Sequence, residues 1–264
     1  MHTDVNQLFA SLWDDYVEMT PSAAKVHQLL GKGEPIINDH IALRTFNLDK
    51  VNLSVLANHF ESLGYVACGD YHFEAKKLKA KHFEHPDATQ PKVFISELLV
   101  EEFSPQLQAI VKDLVDQVDV AATTADNFLY SGRHWTLDIA TYEALLAESE
   151  YAAWVAAIGY RANHFTVSIN YLAGVETLAE VNEILKDNGF VLNCVGGEIK
   201  GSPEVLLEQS STMADKIAVS FSDGQKTIPS CFYEFALRYP KADGELYTGF
   251  VAASADKIFE STNS

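Results

Sequence analysis

Polar and apolar residues alternate most clearly in two segments of the chain. In His40-Ile41-Ala42-Leu43-Arg44-Thr45-Phe46, residues 40, 42, 44 and 46 share one strand face, with Ile41, Leu43 and Thr45 on the other. In His164-Phe165-Thr166-Val167-Ser168-Ile169-Asn170 the split is sharper: His164, Thr166, Ser168 and Asn170 oppose Phe165, Val167 and Ile169. Each segment opens on a histidine and leads through a helix-spaced stretch to a glycine turn, Glu61-Ser62-Leu63-Gly64-Tyr65 and Lys186-Asp187-Asn188-Gly189-Phe190. From histidine to glycine is 24 residues in the first case (64 − 40) and 25 in the second (189 − 164). This near-repeat predicts a duplicated strand–helix–strand module carrying one imidazole at the same place in each copy. Two such imidazoles are well placed to share one metal ion.

Helical spacing of Leu8, Leu12, Trp13, Tyr16 and Val17 predicts a helix over 4–19, broken at Thr20-Pro21-Ser22 and followed by a second over 22–31. The first module then reads as a strand at 40–46, a helix at 51–63 and strands at 65–70, 74–83 and 92–99, with a turn at His85-Pro86-Asp87. Ser104-Pro105 opens a helix on Leu107, Ile110, Val111, Leu114 and Val115. An irregular stretch at 119–136 and a helix at 139–157 follow. The second module reads as the strand from His164, a helix at 176–188 and strands at 190–195, 203–212, 216–222 and 229–238, before a last helix at 253–260. The expected organisation is one domain, 1–264: N-terminal helices (1–35), first module (36–100), helical insert (101–162), second module (163–240) and C-terminal tail (241–264). The fold class is α+β, two strand–helix–three-strand modules curling into a half-barrel with additional helices.

Composition narrows the partners. The net charge of 19 − 37 = −18 is spread along the chain and repels nucleic acid and anionic membrane alike. No stretch approaches the ~18 apolar residues of a membrane span. The start, Met1-His2-Thr3-Asp4, lacks the pattern of a signal peptide. Three cysteines without paired spacing, Cys68, Cys194 and Cys231, argue against a disulfide framework or structural zinc, and the expected setting is cytoplasmic.

A third ligand candidate lies in the final strand. Glu234 is the lone acid of Cys231-Phe232-Tyr233-Glu234-Phe235-Ala236-Leu237-Arg238, and a carboxylate is costly to bury there unless paired or metal-bound. Glu97 is its counterpart in Val93-Phe94-Ile95-Ser96-Glu97-Leu98. The ordinary alternative for both is an edge-strand glutamate facing water. Two histidines and one carboxylate with open positions form the ligand set of non-haem Fe(II) oxygenases, although Ni, Co, Zn or Mn also suits these donors. Gln209 and Ser211 share a strand face and can hydrogen-bond substrate or form a core amide ladder, and Lys200 can neutralise a carboxylate or, as is ordinary for lysine, face solvent. His82 and His85 point to opposite faces of a strand, which argues against joint ligation. His2, His27, His59, His72 and His134 have no partner pattern.

Asp39-His40-Ile41-Ala42-Leu43-Arg44-Thr45-Phe46, Phe94-Ile95-Ser96-Glu97-Leu98, Asn163-His164-Phe165-Thr166 and Phe232-Tyr233-Glu234-Phe235 together resemble the motifs of the 2-oxoadipate dioxygenase/decarboxylase family. Gly197-Glu198-Ile199-Lys200-Gly201-Ser202 and Gln209-Ser210-Ser211-Thr212 extend the resemblance, which runs in blocks from about 36 to 240. It implies a vicinal-oxygen-chelate-like fold and Fe(II) held by His40, His164 and Glu234. It also implies an arginine for the substrate carboxylate at Arg44, which acts in catalysis by holding the substrate. Glu97 falls where related vicinal-oxygen-chelate enzymes place a fourth ligand; here it is expected beside the site, supporting the ligands with Thr166 and Ser168. The implied reaction, in lysine catabolism, converts 2-oxoadipate and dioxygen to 2-hydroxyglutarate and carbon dioxide. Arg44 lies four residues beyond His40 on the same face, roughly 13 Å along the strand, a gap suited to a short dicarboxylate. Two alternatives are an oxygen-independent glyoxalase-type lyase or isomerase, for which Glu97 would have to coordinate, and a binding homologue without turnover. Longer bacterial relatives continue well past the last ligand, whereas 30 residues (264 − 234) follow Glu234 here, so the pocket walls those relatives supply are expected to be missing.

Overall fold

Two N-terminal helices form the backing of the sheet. In this computed structural model, which describes residues 1–263, α1 (Val5–Met19) starts where the Asp4 carboxylate accepts hydrogen bonds from the Asn6 and Gln7 amides. Pro21 at the first position of α2 (Pro21–Gly31) restarts the chain after the break. The α1 face of Leu8, Leu12 and Tyr16 is buried. Trp13 meets Phe165 edge-on at 5.1 Å and also contacts Tyr233, so Phe165 and Tyr233 point toward the helices and their strand neighbours point the other way.

The first module is β1 (Asn38–Phe46), α3 (Leu53–Glu61), β2 (Val66–Phe73), β3 (Leu78–Glu84) and β4 (Lys92–Leu98). The insert carries α4 (Pro105–Asp116), α5 (Ile139–Leu146) and α6 (Glu150–Ile158). The second module is β5 (Ala162–Ser168), α7 (Leu178–Asp187), β6 (Lys200–Ser202), β7 (Leu207–Ser211), β8 (Lys216–Phe221), β9 (Gly224–Pro229) and β10 (Phe232–Arg238). The chain closes with α8 (Ala252–Ile258) and a 3-10 turn, Phe259–Thr262.

Eight strands form one curved sheet in the order β2-β3-β4-β1-β5-β10-β7-β6. Its halves correspond strand for strand. β1 pairs parallel with β4 as β5 does with β10, and the antiparallel β1–β5 seam joins them. This is the half-barrel of two strand–helix–three-strand modules expected from the repeat. The β8–β9 hairpin is a separate two-stranded sheet inserted in the second module only. No helix among the described residues is long and apolar enough to cross a membrane.

Several expected boundaries shift. Residues 190–195 form no strand but make an isolated bridge, Leu192 to Thr212; Val191 and Val195 stay exposed, and Gly196 and Gly197, both at positive φ, turn the chain away. The 203–212 run divides at Leu206, which adopts a left-handed conformation after the Pro203–Val205 turn, and Lys77 divides the 74–83 run in the same way. The 139–157 helix is two helices, the second restarted by the Ser149 hydroxyl, which accepts from the Ala152 amide.

Candidate metal centre

Three adjacent strands bring the two histidines and the glutamate together. His40 lies opposite Thr166, Thr166 lies beside Glu234, and one pleat along Ala42 faces His164. His164 Nε2 is 3.1 Å from Glu234 Oε2, and His40 Nε2 is 3.6 Å from Glu234 Oε1. One donor atom from each of the three lies within 4.8 Å of the others, and all three side chains are buried. Glu234 is 1% exposed, so its charge has no access to bulk solvent. This is the donor set and compactness that a divalent metal requires.

Local backbone irregularity sets both imidazoles. The β1–β5 register slips between Asn38 and His40, making Asp39 the extra residue; a second slip, between Ala42 and Leu43, makes Asn163 the extra residue on β5. A bulge re-aims a side chain that regular pleating would send to the opposite face. His40 Nδ1–H therefore donates to Asp39 Oδ1 at 2.8 Å, and His164 Nδ1–H to Asn163 Oδ1 at 3.1 Å. Each bond leaves an Nε2 lone pair turned toward Glu234, the tautomer a metal ligand needs. Asp39 is itself gripped by the Nε and Nη2 edge of the Arg238 guanidinium, at 2.7 and 2.8 Å. Asp39, Asn163 and Arg238 were not among the expected site residues. Their signal was the Asp or Asn that directly precedes each histidine.

The electrostatics keep the donors in coordinating form. Burial alone would raise the Asp39 carboxyl, but Arg238 and the hydrogen bonds from Arg238 and His40 hold it well below the usual range. Burial would likewise raise Glu234, and the two imidazoles and Gln209 outweigh it, so the carboxyl stays below its ordinary value. Burial pushes the His164 imidazole down, toward its neutral form. Gln209 Nε2–H donates to Glu234 Oε1 at 2.6 Å, and the Thr166 hydroxyl donates to His40 Nε2 at 3.1 Å.

The donors open onto a cavity of about 30 Å³, room for roughly one or two waters. Arg44 and Gln209 line it, with Phe94 and Phe232 among the aromatic wall. Arg44 is 1% exposed, its guanidinium carbon 5.1, 5.0 and 5.6 Å from the rings of Tyr151, Trp154 and Phe259. Its carboxylate partner is Glu150 at 3.4 Å, Thr262 Oγ1 accepts a bond from it at 3.1 Å, and its Nε has no partner. A buried cation so thinly compensated favours an anion beside it.

Other expected residues lie elsewhere. Glu97 is on the opposite face, where its carboxylate accepts from the Leu53 amide at 2.8 Å at the start of α3; Ser96 takes the cavity side. The strand period decides this, since 94 and 96 face inward and 97 cannot. Lys200 is not at the cavity: its ammonium donates to the carbonyls of Asn193 and Glu198 and pins that loop. Ser168 is buried beside Ala236, outside the cavity lining. Ser211 bonds the Ser261 hydroxyl at 2.8 Å. The short tail is not missing its wall. Phe250, Ala255, Ile258 and Phe259 all line the cavity.

Fold and site together define a class of protein, the curved half-barrel with a buried two-histidine, one-carboxylate cluster able to chelate a divalent metal. Residues 3–242 match the family described as 2-oxoadipate dioxygenase/decarboxylase, and the chain belongs to that family. It is 37% identical over 275 residues to the rice protein "2-oxoadipate dioxygenase/decarboxylase, chloroplastic/amyloplastic", covering 94% of this chain and 76% of the rice protein. The solved rice hydroxyglutarate synthase in complex with 2-oxoadipate superposes with a TM-score of 0.90 at 35% identity, covering 97% of this chain and 91% of that one. A Shewanella frigidimarina crystal structure, described provisionally as a hydrolase, superposes at 0.93 with 76% identity, covering 96% and 100%.

Proposed function

We propose that this chain is an Fe(II)-dependent dioxygenase/decarboxylase acting on 2-oxoadipate, with His40, His164 and Glu234 as metal ligands and Arg44 as the substrate-carboxylate residue. The observation that carries the reading is the buried His/His/Glu donor set opening into a cavity that an under-compensated guanidinium also lines. The rice relatives named for this reaction, one of them solved with 2-oxoadipate, supply the substrate. The same reading places the activity in lysine catabolism in the cytoplasm.

Iron(II), when bound, supplies the electrons and open coordination positions that oxidative decarboxylation with dioxygen needs. The rest falls to this chain's residues. Asp39 and Asn163 hold the imidazole tautomers, and Gln209 fixes one Glu234 oxygen so that the other stays free to coordinate. Arg44 binds the substrate's distal carboxylate, its free Nε completing a two-pronged grip. Phe94, Phe232 and Phe250 exclude water and flank the aliphatic carbons.

A six-carbon dicarboxylate is larger than the cavity, so one wall has to give way on entry. Sheet strands are tied by backbone ladders, whereas 250–262 is joined by a backbone bond from the Ala214 amide to the Ser261 carbonyl and otherwise by side chains: Tyr71 accepts from the Phe250 amide, Ser261 bonds Ser211 and Asn193, and Thr262 bonds Arg44. That segment is the wall that moves.

The test is oxygen consumption by Fe(II)-loaded protein across the C4 to C7 2-oxo dicarboxylates. Uptake peaking at the C6 acid with release of carbon dioxide is expected. Silence with all four overturns the proposal. No observation favours the glyoxalase-type alternative, since among the described residues the cluster gains no fourth acidic or histidine donor.

A further inference from the structure

We propose that Cys68, His82 and Glu84 form a second metal site, for a borderline-soft divalent cation of the zinc type, at the outer edge of the first module. Nothing in it rests on the reaction assigned above. One donor atom from each residue lies within 4.8 Å of the others, and thiolate, imidazole and carboxylate together are a zinc-type donor set.

The backbone is shaped for this cluster. The β2–β3 register slips between Ala67 and Gly69, so Cys68 is the bulged residue of the edge strand β2, and a bulge re-aims its side chain. Gly69 stands opposite His82, and a Cβ there would lie 2.7 Å from His82 Nδ1 and 2.8 Å from the Tyr71 hydroxyl. Any larger residue would push the ring out of place. His82 is buried, with Nε2 3.0 Å from Glu84 Oε1 and Nδ1 2.8 Å from the Tyr71 oxygen. That phenol oxygen already accepts the Phe250 amide, and its second lone pair can accept Nδ1–H, which leaves Nε2 free to coordinate.

Coordination replaces the thiol proton, which passes to solvent at this exposed position. Three protein donors leave one tetrahedral position for water. Phe250 separates the site from the first centre, its ring 5.3 Å from that of His82 and 4.7 Å from that of His40.

Cobalt(II) discriminates the two centres, because only this one contains sulfur. Iron-loaded protein kept anaerobic is titrated with Co(II), and the near-ultraviolet thiolate-to-cobalt charge-transfer absorption is followed. The expected result is a band that saturates at one cobalt per chain, is lost in Cys68→Ser, and needs at least tenfold more cobalt in Glu84→Gln. Zn(II) should bleach it stoichiometrically. Cys68 is exposed, so the serine variant keeps the fold, and unchanged far-ultraviolet circular dichroism confirms that. Absence of a band in the parent protein overturns the proposal, as does a band that survives Cys68→Ser or is indifferent to Glu84→Gln.

Discussion

The two halves of the sheet share a plan and divide the chemistry. Parallel pairing sets His40 beside Lys92 and Ala42 beside Phe94 in the first half, and His164 beside Phe232 and Thr166 beside Glu234 in the second. If His40 corresponds to His164, then Phe94 corresponds to Glu234, and Arg44 to Ser168. The first half therefore gives one donor, His40, and the Arg44 guanidinium, and the second gives two donors, His164 and Glu234, with a neutral hydroxyl where the guanidinium would be. A duplicated scaffold builds a donor cluster with two unlike sides. The position that mirrors Glu234 holds a phenyl ring, Phe94, which lines the cavity and offers no donor.

The asymmetry is broken most severely at Glu234. Glu234→Gln keeps the shape but removes the charge that balances a dication, and metal and turnover are expected to vanish together. The loss should exceed the roughly 10–100-fold typical of a supporting partner. Metal content by elemental analysis, alongside oxygen uptake, checks it; a variant that keeps iron but loses turnover would move Glu234 from ligand to proton handling.

The residues before the histidines test whether equivalent places carry equal weight. Asp39→Ala strands the buried Arg238 guanidinium, at a cost of about 3–5 kcal/mol. Asn163→Ala removes one neutral hydrogen bond, at about 1 kcal/mol. Both should weaken metal binding. Urea unfolding measures the difference, and equal values for the two variants would mean that the Arg238 pair adds nothing to stability.

Arg44 and Ser168 form the next pair. Arg44→Lys keeps the charge but loses the planar grip, so KM for 2-oxoadipate should rise by a factor corresponding to about 1–3 kcal/mol with metal content unchanged. Ser168→Ala should leave both near the parent value. A rise in KM at Ser168 would show that substrate spans both halves.

What the sequence revealed follows from what is local. The faces of β1 and β5 were legible because strand period and the histidine-to-glycine spacing are properties of short segments. The third donor of the cluster was legible because a lone acid among Phe232, Tyr233 and Phe235 had to have a partner. Glu97 misled because composition matches the modules by similarity of runs, while strand register decides which residue faces inward, and register is set by a distant partner. The bulges at Asp39 and Asn163 are likewise products of pairing. Lys200 and the tail were misjudged for the same reason: neither carries a periodic pattern, and their roles lie in contacts to distant loops and to the far side of the cavity.

The smallest effect concerns how each half starts its helix. On α3 the Asn52 side chain accepts from the Val55 amide, and the Glu97 carboxylate reaches across from β4 to the Leu53 amide. On α7 the same task is internal, with Thr177 and Glu180 forming a capping box. A carboxylate at a helix N-terminus contributes about 0.3–1 kcal/mol through the helix dipole. Glu97→Gln and Glu180→Gln can each still accept a hydrogen bond but lose that charge, so each should cost about 0.5 kcal/mol, seen as a small drop in the urea midpoint at unchanged slope. Neither should alter metal content or oxygen uptake. Weaker metal binding in Glu97→Gln alone would return that carboxylate to the metal and with it the four-ligand, oxygen-independent chemistry, whereas equal and purely structural losses confirm that the two halves differ at the cavity face and agree at the helix face.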